Sequence, residues 1–96
     1  MNMPEERRVV VPSSLTSLDE IYTFLQESLD FPSYFGRNLN ALWDCATSDI
    51  TNPVCVVWPK RWDSGNPYLW WKALPVLNVL QEAAEENERL RIEMGG

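Results

Sequence analysis

The sequence predicts a small α/β fold whose strands are parallel and joined through helices. Three observations predict it. Two short runs rich in β-branched residues, Arg7 to Val11 and Val54 to Trp58, are separated by two stretches of helical periodicity, and a further helix-then-strand pattern follows to Met94. Crossovers through helices make neighbouring strands parallel.

In chain order, Arg7 to Val11 reads as the first strand, ended by Pro12 and the turn-like Ser13 and Ser14. Ser17-Leu18-Asp19-Glu20 is a capping box, in which the serine oxygen satisfies a free N–H and the glutamate reaches back toward the cap. Leu18, Ile21, Tyr22, Leu25 and Leu29 keep the 3.6-residue period, and Pro32 disfavours helical geometry at Phe31, so helix one spans about Leu18 to Leu29. Gly36 supplies an unusual backbone angle, and Asn38 caps a second helix from about Leu39 to Ser48, with Leu39, Leu42 and Ala46 as its buried stripe. Val54 to Trp58 lacks polar alternation, as in a strand covered on both faces. Lys60 to Pro67 reads as a loop, with room for one short helical turn. Leu74, Leu77, Leu80 and Ala84 are helically spaced, and Pro75 fits within a first turn, which starts the last helix near Lys72 and ends it near Glu86. Arg89 to Met94 alternates charged and apolar residues, as a half-exposed terminal strand does.

The chain has 96 residues, of which 45% are apolar and 23% charged, a size and balance suited to one folded domain. With 8 basic and 14 acidic residues, its formal charge of -6 repels nucleic acid and anionic membranes and favours a basic partner. No apolar leader is present at Met1 to Glu6 and no apolar run is long enough to span a bilayer, so a cytoplasmic protein is expected. In such a compartment Cys45 and Cys55, flanked by apolar residues, read as buried thiols. Histidine is absent, which removes the commonest general base and zinc ligand. No phosphate loop, metal cluster or CxxC motif occurs, and no cofactor is expected.

Asn40, Asp44 and Thr47 are spaced to share the helix-two face opposite the apolar stripe. Just before them stand Tyr34, Phe35, Gly36 and Arg37, so an aromatic loop abuts a polar, acidic face, a mixture typical of protein-binding anchors. On pattern alone Asp44 could equally be a solvated helix residue and Trp43 a core residue. Trp58 reads as core. Of the adjacent Trp70 and Trp71, one can face the core and the other solvent, where it would mark a second contact or a homodimer.

The segment Phe31 to Cys45, with Pro32, Tyr34, Phe35, Gly36, Asn38, Leu39, Ala41, Leu42, Trp43, Asp44 and Cys45 at fixed spacing, resembles the barstar family of intracellular ribonuclease inhibitors. Ser17 to Leu25, Pro53 to Trp58 and Val76 to Ala83 extend the likeness. The resemblance implies a three-stranded parallel sheet packed against about four helices, and a partner that is a basic, barnase-like ribonuclease bound 1:1. By position it makes Asp44 the central acidic anchor, Tyr34 an aromatic packing on the enzyme, Trp43 a bordering aromatic, Asn38 and Thr47 helix contacts and Glu82 an acidic contact from the last helix. Gly36 would let the loop approach closely, and Leu39, Asn40, Ser48 and Asp49 complete the candidate surface.

Three departures stand out. Asn40 replaces a family aspartate, Arg37 a glutamate and Asp49 a tryptophan, which fits a changed partner specificity. The Lys60 to Pro67 loop also replaces a family helix. Two other readings compete: an interaction or dimerisation module that kept the fold, and an enzyme using Asp44 and Glu82 as a carboxylate pair.

Overall fold

The computed structural model describes residues 5–63 and 67–95. Its elements are β1 (Arg7–Val10), α1 (Leu18–Ser28), α2 (Leu39–Ser48), β2 (Val54–Trp58), α3 (Pro67–Glu86) and β3 (Leu90–Met94). The strands form one parallel sheet in the order β1-β2-β3, in a register that aligns Val9 with Val56 and Val56 with Ile92. Three helices are present among the described residues, where about four were expected. Residues 59–63 contain no helix, and residues 64–66 of the expected loop lie outside the described residues.

Both expected caps form. Ser17 Oγ accepts the Glu20 N–H at 3.1 Å, while Glu20 Oε1 reaches back to the Thr16 N–H at 2.6 Å. Past the C-cap Leu29, Asp30 turns left-handed at φ 56° and the Phe31 N–H donates to the Gln26 carbonyl at 3.0 Å, which closes α1 before Pro32. α2 starts where Asn38 Oδ1 accepts the Ala41 N–H at 2.8 Å.

One core holds the sheet to the helices: Val9, Val54, Val56 and Leu90 pack with Ile21 and Leu25 of α1, Leu42 and Ala46 of α2, and Val76 and Leu80 of α3. The helices therefore load one face of the sheet. β2 is buried at every position, yet the expected cover on both faces takes a different form. On the far face Cys55 and Val57 lie beneath charged side chains of the flanking strands, where Arg8 pairs with Glu93 at 3.0 Å and Arg91 grips Glu6 through Nε and Nη2 at 2.6 and 2.8 Å. Arginine stems can shield apolar surface while their heads stay wet. Both cysteines are free and buried.

The last helix begins at Pro67 instead of near Lys72, with Pro75 in its interior. The local penalty of an interior proline is about 3 kcal/mol. It is offset because the additional turn buries Leu69, 1% exposed, on the stripe continued by Ala73, Val76 and Leu80. Pro75 faces solvent, so water can serve the carbonyl its ring leaves without a donor. The Trp70 and Trp71 side chains are 46% and 67% exposed, so neither is the expected core residue. They meet edge to face, ring centroids 5.2 Å apart. Trp58 is core, with the half-buried Trp62 against it at 5.7 Å.

Candidate functional site

In the loop between α1 and α2, Phe31 and Phe35 point inward while Ser33, Tyr34, Gly36 and Arg37 face solvent. Phe35 is buried against Phe31 and Tyr22, with ring centroids 5.3 and 6.0 Å away, and this fixes its neighbour Tyr34 in solvent at 78% exposure. The Phe35 N–H closes a turn onto the Pro32 carbonyl at 3.0 Å, and Gln26 Nε2 donates to the same oxygen at 3.0 Å. A loop so pinned can present Tyr34 without a large ordering cost on binding.

The unusual backbone angle lies at Arg37, φ 50°, and not at Gly36. Gly36 is required for space: a Cβ there would stand 2.9 Å from Asn38 Nδ2, the amide that donates to the Gly36 carbonyl at 3.2 Å. The Arg37 guanidinium turns away from α2 to Asp19 on α1, at 2.7 Å. The cation that departs from the family pattern is thus paired and held to one side.

Leu42, Cys45 and Ala46 fasten α2 to the core. Leu39 was expected on that stripe but is 38% exposed. At about 100° per residue it sits at the stripe's edge, well away from Cys45, and in the first turn where little packs over it. Trp43 is half-buried against the core at the rim of the exposed face. Asn40, Asp44 and Ser48 face solvent, and Thr47 is half-buried, its hydroxyl donating to the Trp43 carbonyl at 2.7 Å. Asp49 caps the helix; burial first, then the neighbouring Asp49 carboxylate, push the Cys45 thiol up to about 11.

Among the described residues, the carboxylate of Asp44 makes neither an ion pair nor a hydrogen bond, and α2 contains no basic residue. The chain's described ion pairs tie Arg7 to Asp30, Arg8 to Glu93, Arg37 to Asp19 and Arg91 to Glu6, none of them on α2 or α3. Glu82, exposed on α3, is likewise unpaired. No group of three or more ligating side chains able to hold a metal ion occurs among the described residues.

Asn87 was not foreseen as part of this arrangement. Buried just after α3, its Nδ2 donates to the carbonyls of Ala46 and Ile50 at the end of α2, at 3.0 and 3.2 Å, and its Oδ1 accepts the Arg89 N–H. The C-terminal ends of α2 and α3 are therefore tied together. Since the two helices also pack side by side, they run in the same direction.

Residues 7–95 match the family model described as Barstar (barnase inhibitor). The chain belongs to the barstar family. A Bacillus subtilis (strain 168) relative named "Putative ribonuclease inhibitor YrdF" is 38% identical over 81 residues, covering 83% of this chain and 88% of that protein. The barstar motif from Phe31 to Cys45 thus maps onto the pinned loop and the α2 face just described. No helix among the described residues is long and apolar enough to cross a membrane.

Proposed function

We propose that this barstar-family protein binds and inhibits a basic ribonuclease, one to one, by seating the 32–38 loop and the exposed α2 face in the enzyme's phosphate-binding cleft. The whole chain acts as a single inhibitory domain, as an immunity protein in the cytoplasm of the cell that makes the nuclease or meets it. Asp44 is the anchor, replacing an RNA phosphate; Tyr34 packs on the enzyme beside it; Gly36 allows close approach; Asn38, Leu39, Asn40, Trp43, Thr47, Ser48 and Asp49 complete the surface, and Glu82 adds a second carboxylate.

The observation that carries this reading is the unpaired carboxylate of Asp44, on a helix held rigid from beneath, in a chain of net charge -6. A nuclease must gather Arg and Lys to bind phosphate, and a preplaced carboxylate desolvated against them gains charge-assisted hydrogen bonds without having to order itself first. Asp44→Ala strands those cations, and truncating one member of a buried charge pair costs about 2–5 kcal/mol.

The test is inhibition of RNA cleavage by barnase. Wild-type protein is expected to inhibit, Asp44→Ala to weaken inhibition by at least ~30-fold, and Asn40→Ala far less. Equal small effects of both substitutions would remove Asp44 as the anchor, and absence of inhibition by the wild type would overturn the ribonuclease of this type as partner.

A further inference from the structure

Trp71, one of the aromatic pair near the start of α3, lies on the same side of that helix as Glu82. Residues 71, 75, 78 and 82 follow the i, i+4, i+7, i+11 spacing that places Trp71, Pro75, Asn78 and Glu82 on one stripe, and all four are exposed. Glu85 continues the stripe, which carries two carboxylates and no cation. α3 has 20 residues and α2 has 10, and their C-terminal ends are tied through Asn87. At 1.5 Å per residue, Trp71 therefore overhangs the start of α2 by roughly 8 Å and stands about 16 Å from Glu82. The start of α2 is also where the Tyr34 loop enters, so the tryptophans sit at that end of the helical layer.

The geometry points to Trp71, backed by Trp70, as a second anchor for the same basic ribonuclease, an aromatic platform on which an arginine or lysine at the rim of the enzyme's cleft stacks. This inference rests on the inhibitor reading above. An interface of common size, about 800 Å² per partner, is roughly 30 Å across, wider than the separation of Glu82 from Trp71, so one partner can cover both ends of this stripe. A tryptophan face binds cations, and the carboxylates on its stripe draw the same cationic surface. Trp70, edge-on at 5.2 Å, limits the rotamers open to Trp71 and so reduces the ordering cost of stacking.

Barnase is the probe, with inhibition and stopped-flow dissociation measured for wild type, Asp44→Ala, Trp71→Ala and Trp71→Phe, and sedimentation velocity run on the free wild type. The inference expects Trp71→Ala to speed dissociation about tenfold, with Trp71→Phe between it and wild type and the association rate little changed. Dissociation unaffected by Trp71→Ala while Asp44→Ala weakens inhibition overturns the second anchor and leaves the inhibitor reading standing. So does a free-protein dimer that Trp71→Ala abolishes, since the pair would then belong to a second copy of the chain. A wild type that fails to inhibit barnase overturns the barnase-type partner and the second anchor together.

Discussion

The side-chain amide of Asn87 bridges the carbonyl oxygens of Ala46 and Ile50, at 3.0 and 3.2 Å, and so fastens the end of the candidate binding helix to the end of α3. Asn87→Ala leaves these carbonyls without that donor in a buried setting, and each unsatisfied group costs about 1–3 kcal/mol. A drop of about 2–3 kcal/mol in unfolding free energy is expected by urea denaturation. Asn87→Asp, which faces both carbonyls with a carboxylate oxygen, should be no better. A loss below 0.5 kcal/mol would mean that packing alone holds α2 in place.

The first turn of α2 contains no acidic residue. Its exposed N–H groups carry the positive end of the helix dipole, and a carboxylate there is worth about 0.3–1 kcal/mol. Asn40→Asp should therefore raise thermal stability at low salt and lose the gain at high salt. It should also increase the rate of association with a basic nuclease, an effect likewise erased by salt. A gain that salt leaves untouched would point away from electrostatics.

At Arg37 two small terms oppose each other. An L-residue in the left-handed region costs about 1–2 kcal/mol, and an exposed ion pair such as that with Asp19 returns about 0–1 kcal/mol. Arg37→Gly removes both, so its stability should stay within about 1 kcal/mol of wild type. Arg37→Glu keeps the strained angle and places two carboxylates together. It should be the less stable variant by chemical denaturation, and the reverse order would discard the ion pair as a loop restraint.

Gly36→Ala tests a steric role. Its Cβ would approach Asn38 Nδ2 to 2.9 Å, displacing the amide that caps α2. Loss of a cap costs about 1 kcal/mol, and the expected fall in stability should vanish when Gly36→Ala is made in an Asn38→Gly background.

Stability should also decline on the alkaline side. The Cys45 thiol is raised from 9.0 to about 11, mainly by burial, and burial also raises Cys55. Above pH 9 the unfolded chain releases thiol protons that the folded chain retains, so the folded state loses stability as pH climbs from 9 toward about 11. Cys45→Ala should flatten this part of the pH profile, measured by guanidinium denaturation. The lowered Glu6, Glu20 and Glu93 act in the opposite range, their contribution being lost as pH falls through the carboxylate region.

Features fixed by neighbours in the chain were legible in the sequence. Ser17 and Asn38 announce helix starts because a cap bonds an amide three residues on, and β2 announces itself because a buried strand needs an unbroken apolar run. Asp44 was placed on an open face by period alone. The start of α3 is not legible locally: the cost of Pro75 argues for a start near Lys72, whereas the burial of Leu69 decides the matter through tertiary packing. Asn87 left no trace in its own segment, since the groups it serves lie 37 and 41 residues away. Likewise nothing beside Arg37 reveals Asp19, which selects its direction from another helix.

The ribbon of arginine and glutamate pairs over Cys55 and Val57 lies on the side of the sheet away from all three helices. Its upkeep and the choice of partner are therefore separate affairs. Substitutions at surface positions of the helical side, such as 37, 40 and 49, can change what that side presents while the strands keep their register.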